Sequence, residues 1–140
     1  MALVNQLRIE ITTGGDDLRQ NSQAIGYIKT DRFNIPYPQF WAENSVPLNN
    51  GKSWGNGSNN SRNLVLSPPA DSSQFREFGI RFKSGQQFLS DTNDNWNIDQ
   101  IKITAILEGD NEVPILEQSG SPLVRFTGDF LVWSVSLPPF

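Results

Sequence analysis

Apolar and polar residues alternate with a period of two in several short segments of the chain. In the first of these, Leu7, Ile9 and Ile11 alternate with polar neighbours. This period is typical of a β-strand with one buried face. The same pattern, with proline and glycine as boundaries, predicts strands at Gln6–Thr12, Gln23–Thr30, Asn63–Leu66 and Phe78–Lys83.

A further strand begins at Trp96, but its apolar residues change parity along its length. Trp96 and Ile98 share one parity, whereas the apolar positions from Ile101 to Ala105 have the other. One extra residue in a strand reverses the faces that its side chains occupy. We therefore predict a β-bulge near Asp99-Gln100.

The C-terminal segment Leu123–Leu137 predicts one or two further strands, Val124–Phe126 and Phe130–Val135, with a break at Gly128-Asp129. The second of them is apolar on both faces. One face carries Leu131, Trp133 and Val135. A strand that is apolar on both faces is usually covered on both, by its own domain or by another chain. The candidate interface residues are Phe130, Val132 and Trp133.

Glycine, asparagine and proline mark the connections between strands. Gly14-Gly15-Asp16-Asp17 ends the first strand, and Asn50-Gly51 and Asn56-Gly57 favour tight turns. The segment Asp31–Asn63, which contains three prolines, is predicted to be a long connection. Ser72–Glu77 could form one helical turn.

About seven or eight short strands without a substantial helix predict an antiparallel β-sandwich. The length of 140 residues fits one domain, and no linker or internal repeat divides the chain. We expect residues 1–140 to form a single domain.

Composition narrows the classes of function. A net charge of −4 without a basic stripe disfavours nucleic acid. The absence of Cys and His excludes disulfides, thiolate chemistry and histidine bases, so we predict that the protein is not an enzyme. The sequence contains no Sec-type signal pattern and no apolar span of about 18 residues, so we expect a soluble protein.

Acidic residues in the predicted loops are candidate metal ligands. Calcium prefers carboxylate, amide and carbonyl oxygens on adaptable loops, which Thr92–Asn95 also provides. The alternatives are Asx-turns, a pair of Asp17 with Arg19, and an acid and base pair for glycoside hydrolysis. The candidate calcium ligands are Asp16, Asp17, Asp91 and Asp94.

Aromatic residues in polar loops are candidates for ligand contact, because such rings can stack on a sugar or enter a lipid interface. The alternative is that they fold back onto the core, which we favour for Trp96 and leave open for Trp54. The candidate ligand-binding residues are Trp41, Trp54, Asn56 and Phe88.

Three segments together resemble the PLAT/LH2 family, a group of β-sandwiches similar to C2 domains: Arg8–Asp17, Ile25–Ile28 and Asp94–Ile103. With Leu48–Trp54 they also resemble small bacterial domains of that type, over residues 7–107. The resemblance implies docking on membranes, lipids or proteins, often with calcium in the end loops. Among the residues of this chain, the resemblance implies a role in the first end loop for at most Gly14, Gly15, Asp16 and Asp17.

Three functions follow as hypotheses. The first is a binding module that docks on a membrane, lipid or protein through end loops, with calcium as a candidate cofactor. The second is a carbohydrate-binding module or lectin in which Trp54 or Trp41 stacks on a sugar. The third is an assembly subunit that forms oligomers through its C-terminal strand.

Overall fold

The structure is a computed structural model that describes residues 3–31, 41–84, 94–128, 130–137 and 140. Within these ranges, single 3₁₀ turns span Ser72–Gln74 and Glu108–Asp110. The strands are β1 Leu3–Thr13, β2 Gln23–Asp31, β3 Trp41–Pro47, β4 Asn59–Asp71, β5 Phe75–Lys83, β6 Trp96–Leu107, β7 Glu112–Phe126 and β8 Val132–Ser136.

These strands form two antiparallel four-stranded sheets, in the orders β4-β1-β6-β7 and β3-β2-β5-β8. The predicted antiparallel β-sandwich is therefore confirmed. Alternate residues of the central strands face inward and are fully buried, as Leu7, Ile9 and Ile11 are in β1. The core between the sheets buries their apolar faces, which is the main favourable contribution to folding.

The predicted bulge in β6 lies at Asp99. Thr12 of β1 pairs with Gln100, but the next residue, Thr13, pairs with Ile98, so Asp99 is the extra residue. The bulge lets Trp96 and Ile98 face the core together with Ile101 and Ile103, despite their opposite parity.

Three strand predictions were wrong in extent. One concerns β7, which begins at Glu112 although the sequence predicted a strand only from Leu123. The segment predicted as a long connection contains β3, Trp41–Pro47, and the strand predicted at Asn63–Leu66 is the longer β4. Prolines argued against strand structure in both segments, since Pro47 ends β3 and Pro68-Pro69 lie within β4. Both are edge strands, where a missing backbone N–H can face solvent without breaking a pairing. The predicted helical turn is the 3₁₀ turn Ser72–Gln74.

The connections that follow β1, β3, β5 and β7 all leave from one end of the sandwich. Thr13 lies opposite Ile98, and Phe126 opposite Trp96, in the first sheet. In the second sheet, Lys83 lies opposite Gln23. We call the described residues of these connections the loop end: 14–22, 48–58, 84, 94–95, 127–128 and 130–131.

No helix in the described part of the chain is both long and apolar enough to span a membrane.

Candidate functional site: the loop end

Asp94 is the most deeply buried acidic residue of the loop end, at 1 % exposed. Its Oδ2 accepts hydrogen bonds from the Ser22 hydroxyl at 2.8 Å and from the Arg19 backbone N–H at 2.9 Å. Arg19 Nε lies 3.5 Å from its Oδ1. Asp94 therefore joins the start of β6 to the β1–β2 connection across the sandwich.

Burial raises the pKa of Asp94 above its ordinary value, and the nearby negative charge of Asp17 acts in the same direction. The hydrogen bonds from Arg19 and Ser22 and the Arg19 charge oppose this rise without cancelling it. Arg19, the predicted partner of Asp17, forms an ion pair with Asp94.

Asp16 lies on the outer side of the same end and faces a cation of the protein. Arg125 donates to Asp16 Oδ2 at 3.2 Å and to Asn97 Oδ1 at 2.6 Å. The backbone of Asp16 also accepts from the Asn97 N–H at 3.1 Å. These contacts hold the first loop against the start of β6.

The described carboxylates do not fit a calcium site in this arrangement. The oxygens of Asp94 face Arg19 and Ser22, and Asp16 faces Arg125. Among the described residues, no three acidic side chains come close enough to hold a metal ion. Asp91 lies outside the described residues, so calcium binding stays a prediction.

Trp54 is buried, with 5 % of its surface exposed. Its ring packs edge-on against Trp96 at 5.7 Å between centroids. Its backbone exchanges two hydrogen bonds with Leu18, at 2.9 and 3.0 Å. The expectation that Trp54 is exposed is therefore wrong, and both Trp54 and Trp96 fold back onto the core. A ligand contact of Trp54 stays a prediction.

The other predicted ligand residues have different outcomes. Asn56 is exposed in the connection between β3 and β4. Phe88 and the side chain of Trp41 lie outside the described part of the chain. Carbohydrate binding through Trp41 stays a prediction.

Three stacked aromatic rings extend from the core to the surface of the loop end. Trp96 stacks on Phe126 at 5.7 Å, and Phe126 stacks on Phe130 at 5.8 Å. The turn that carries Phe130 is closed by its hydrogen bonds with Thr127, both 3.2 Å long. Phe130 is thus supported from below by packed rings, although 43 % of its surface is exposed.

The two residues after Phe130 extend this exposed apolar surface. Leu131 is 45 % exposed and Val132 is 48 % exposed. We call Phe130, Leu131 and Val132 the apolar tip. Beside it lies a shallow groove of about 500 Å³, lined by Phe82, Lys83, Ser84, Gly128 and Leu131.

The predicted interface residues separate into two groups. Phe130 and Val132 lie at the surface, whereas Trp133 is half-buried and packs against Phe78 at 6.4 Å between ring centroids. The inward direction of Trp133 follows from the alternation of β8, in which Val135 also packs on the core.

Sequence reasoning missed Leu131 as a surface residue, because it shares the parity of the inward-facing Trp133. It lies before the first residue of β8, where strand alternation does not yet apply. It also missed Ser22 as a partner of Asp94, since the two are 72 positions apart.

In comparisons of the sequence with known proteins, no family model matches the chain and no curated protein matches it. The resemblance to the PLAT/LH2 family therefore depends on the short segments given above.

Proposed function

We propose that this domain is a non-catalytic binding module that docks on a lipid surface through the apolar tip. The observation that carries this proposal is the exposure of three consecutive apolar side chains, Phe130, Leu131 and Val132, at an end of the sandwich. Exposed apolar groups that project together commonly mark an interaction site.

A lipid surface suits the tip better than a small ligand does. The neighbouring groove is shallow and open, whereas Phe130 and Leu131 lie on a connection between strands, from which side chains can enter an interface. The stack beneath Phe130 reduces the conformational entropy lost on docking. Because the chain carries a net charge of −4, electrostatic attraction to anionic lipids does not favour docking. The binding energy therefore comes from insertion of apolar side chains.

Vesicle binding tests this proposal. We expect Phe130→Ser and Leu131→Ser each to weaken binding to phosphatidylcholine vesicles about tenfold, because each removes roughly 1.5 kcal/mol or more of apolar burial. Co-sedimentation or tryptophan fluorescence measures the affinity. Leu3→Ser is the matched control, since Leu3 is 42 % exposed at the opposite end of β1.

The outcomes separate the alternatives. Equal loss in Leu3→Ser, or no vesicle binding by the unaltered protein, would contradict lipid docking and favour a protein partner for the tip. Parallel measurements in calcium and in EDTA test the calcium-assisted form. If calcium strengthens binding and EDTA reverses it, then a ligand set that includes Asp91 becomes the next site to examine.

A second candidate function is assembly through the outer edge of β8, which is the last strand of its sheet among the described residues. Leu131 accepts from Phe82 N–H and Leu137 donates to Arg76, so odd-numbered residues bond to β5. The backbone groups of Val132, Ser134 and Ser136 therefore face outward.

The composition of this edge also favours pairing with another strand. β8 contains no proline and no charge, whereas the edge strands β4 and β7 contain both. Charges and prolines normally protect a sheet edge from pairing with another chain. A second copy could extend the sheet by antiparallel pairing of β8 with β8 about a two-fold axis.

Substitution in β8 tests assembly. We expect the unaltered protein to form a dimer whose dissociation constant rises at least about tenfold in Val132→Lys, because a lysine on an edge strand opposes pairing with another chain. Sedimentation velocity measures this change. Trp133→Ser is unsuitable, since Trp133 packs inward on Phe78. A monomer at millimolar concentration would exclude this function.

A further inference from the structure

The inner face of β4 changes from apolar to polar towards the loop end. Leu64 and Leu66 of this strand are buried in the core. Asn60 and Arg62 have the same parity and therefore belong to the same inward face. Apolar residues normally occupy such positions, and departures from this pattern often occur at functional sites. Asn60 and Arg62 thus call for an explanation other than core packing.

Both residues line a cleft of about 170 Å³ beside the connection between β3 and β4. β3 and β4 are edge strands of different sheets and contact each other, so the cleft lies at one side of the sandwich. Buried Leu48 and Trp54 also line it. The polar lining residues are Asn49, Asn50, Lys52, Asn60, Ser61 and Arg62.

The described residues that line the cleft include two cations and no acidic residue, although acidic residues outnumber basic ones in the chain. Arg62 Nε donates to the Pro47 carbonyl at 3.2 Å, which orients the guanidinium group. Its terminal nitrogens make no hydrogen bond or ion pair with the described residues. The same holds for the ammonium group of Lys52 within the described part of the chain.

A tight turn holds Lys52 at the cleft. The Lys52 N–H donates to the Asn49 carbonyl at 2.9 Å. Asn50 and Gly51, between them, have φ angles of 46° and 77°. The sequence predicted this turn from the Asn-Gly pair, which tolerates positive φ. Buried Asn49 fixes the turn by donating to the Ser22 carbonyl at 2.8 Å.

We propose that this cleft binds a small oxyanion, namely the sulfate or phosphate monoester group of a sugar or a lipid headgroup. The oriented guanidinium of Arg62 can hold two oxygens of such a group, and Lys52 adds a second positive charge. The side chains of Asn50 and Asn60 can donate further hydrogen bonds. The volume is below the roughly 300–1,000 Å³ of sites for drug-sized ligands, so it suits the anionic group alone.

This site is separate from the apolar tip. The cleft lies between β3 and β4, whereas the tip belongs to the connection between β7 and β8, the edge strands on the other side. Loss of vesicle binding on substitution of Phe130 or Leu131 would leave the oxyanion proposal unaffected, and the converse also holds.

Titration of the ¹⁵N-labelled protein with sodium sulfate and sodium phosphate, at constant ionic strength set by chloride, tests the proposal. We expect saturable shifts of the amide signals of residues 49–52 and 60–62. Lys52→Met and Arg62→Gln should each weaken binding at least about tenfold. Glutamine keeps a side-chain donor for the Pro47 carbonyl, and Lys52→Met removes no hydrogen bond found among the described residues.

Lys102→Met in β6 is the matched control, since it changes the net charge equally but lies outside the cleft. Equal weakening in this variant, or equal shifts with chloride alone, would overturn the proposal. Two further probes distinguish the source of the oxyanion. Tighter binding of glucose 6-sulfate than of sulfate indicates a sugar, whereas retention on phosphatidic acid vesicles that depends on Lys52 indicates a headgroup.

Discussion

Asp94→Ala should lower the free energy of unfolding by about 2–4 kcal/mol. The substitution removes two hydrogen bonds of a residue that is 1 % exposed, and lost buried hydrogen bonds cost roughly 1–3 kcal/mol each. The ion pair with Arg19 adds little, because the Arg19 side chain is 40 % exposed. Chemical denaturation monitored by tryptophan fluorescence measures the loss.

Asp94→Asn is the matched control, since its carbonyl oxygen can still accept from Ser22 and from the Arg19 N–H. We expect it to recover at least half of the stability lost in Asp94→Ala. A loss in Asp94→Ala below about 0.5 kcal/mol, the usual size of a surface effect, would contradict the structural role of this carboxylate.

The pH dependence of Asp94 has a defined sign. Because burial raises its pKa in the folded state, the folded protein holds this proton more tightly than the unfolded chain does. The associated stability is fully present below the unfolded pKa, about 3.9, and is lost as pH rises through the folded pKa. The stability of the unaltered protein relative to Asp94→Asn should therefore increase as pH falls from 7 towards 4. A decrease would indicate a lowered pKa.

Local patterns were sufficient to predict most of the strands and the bulge. The alternation in β1 and β5 and the change of parity after Ile98 depend only on neighbouring residues and on burial of one face. The turn at Asn50-Gly51 was predictable for the same reason, since its positive φ angles depend on the two residues themselves.

The candidate site was less predictable, because its residues acquire their roles from distant partners. Asp94 looked like a calcium ligand in a polar run, but its hydrogen bonds come from residues 72 and 75 positions away. Arg62 gave no signal in the sequence, since only the extent of β4 shows that it continues the inward face of Leu64. Strand pairing decides both roles, and local patterns do not determine pairing.

The polar run around Trp54 shows how such a segment can conceal a core residue. Its neighbours are glycine, serine and asparagine, which are as typical of a loop with an exposed tryptophan as of a loop whose tryptophan is buried. The bridge to Leu18 and the contact with Trp96 bring the indole into the core instead. One large apolar ring thus anchors a connection whose other residues, including Asn56, remain exposed.

Trp54→Ala should therefore destabilise the fold by about 3–5 kcal/mol, the usual cost of removing a large buried aromatic side chain. Equilibrium denaturation measures this loss. Asn56→Ala in the same connection is the control and should change stability by no more than about 0.5 kcal/mol. Trp54→Phe should be intermediate, because a smaller ring retains part of the packing on Trp96.

A stacking platform for sugar would behave in the opposite way. An exposed Trp54 could be replaced by alanine with little loss of stability, and the variant would remain folded while losing its ligand. A loss below about 1 kcal/mol in Trp54→Ala would contradict the burial of the indole and restore its candidacy for ligand contact. With the expected loss, the indole anchors the wall of the cleft that it lines together with Lys52 and Asn50.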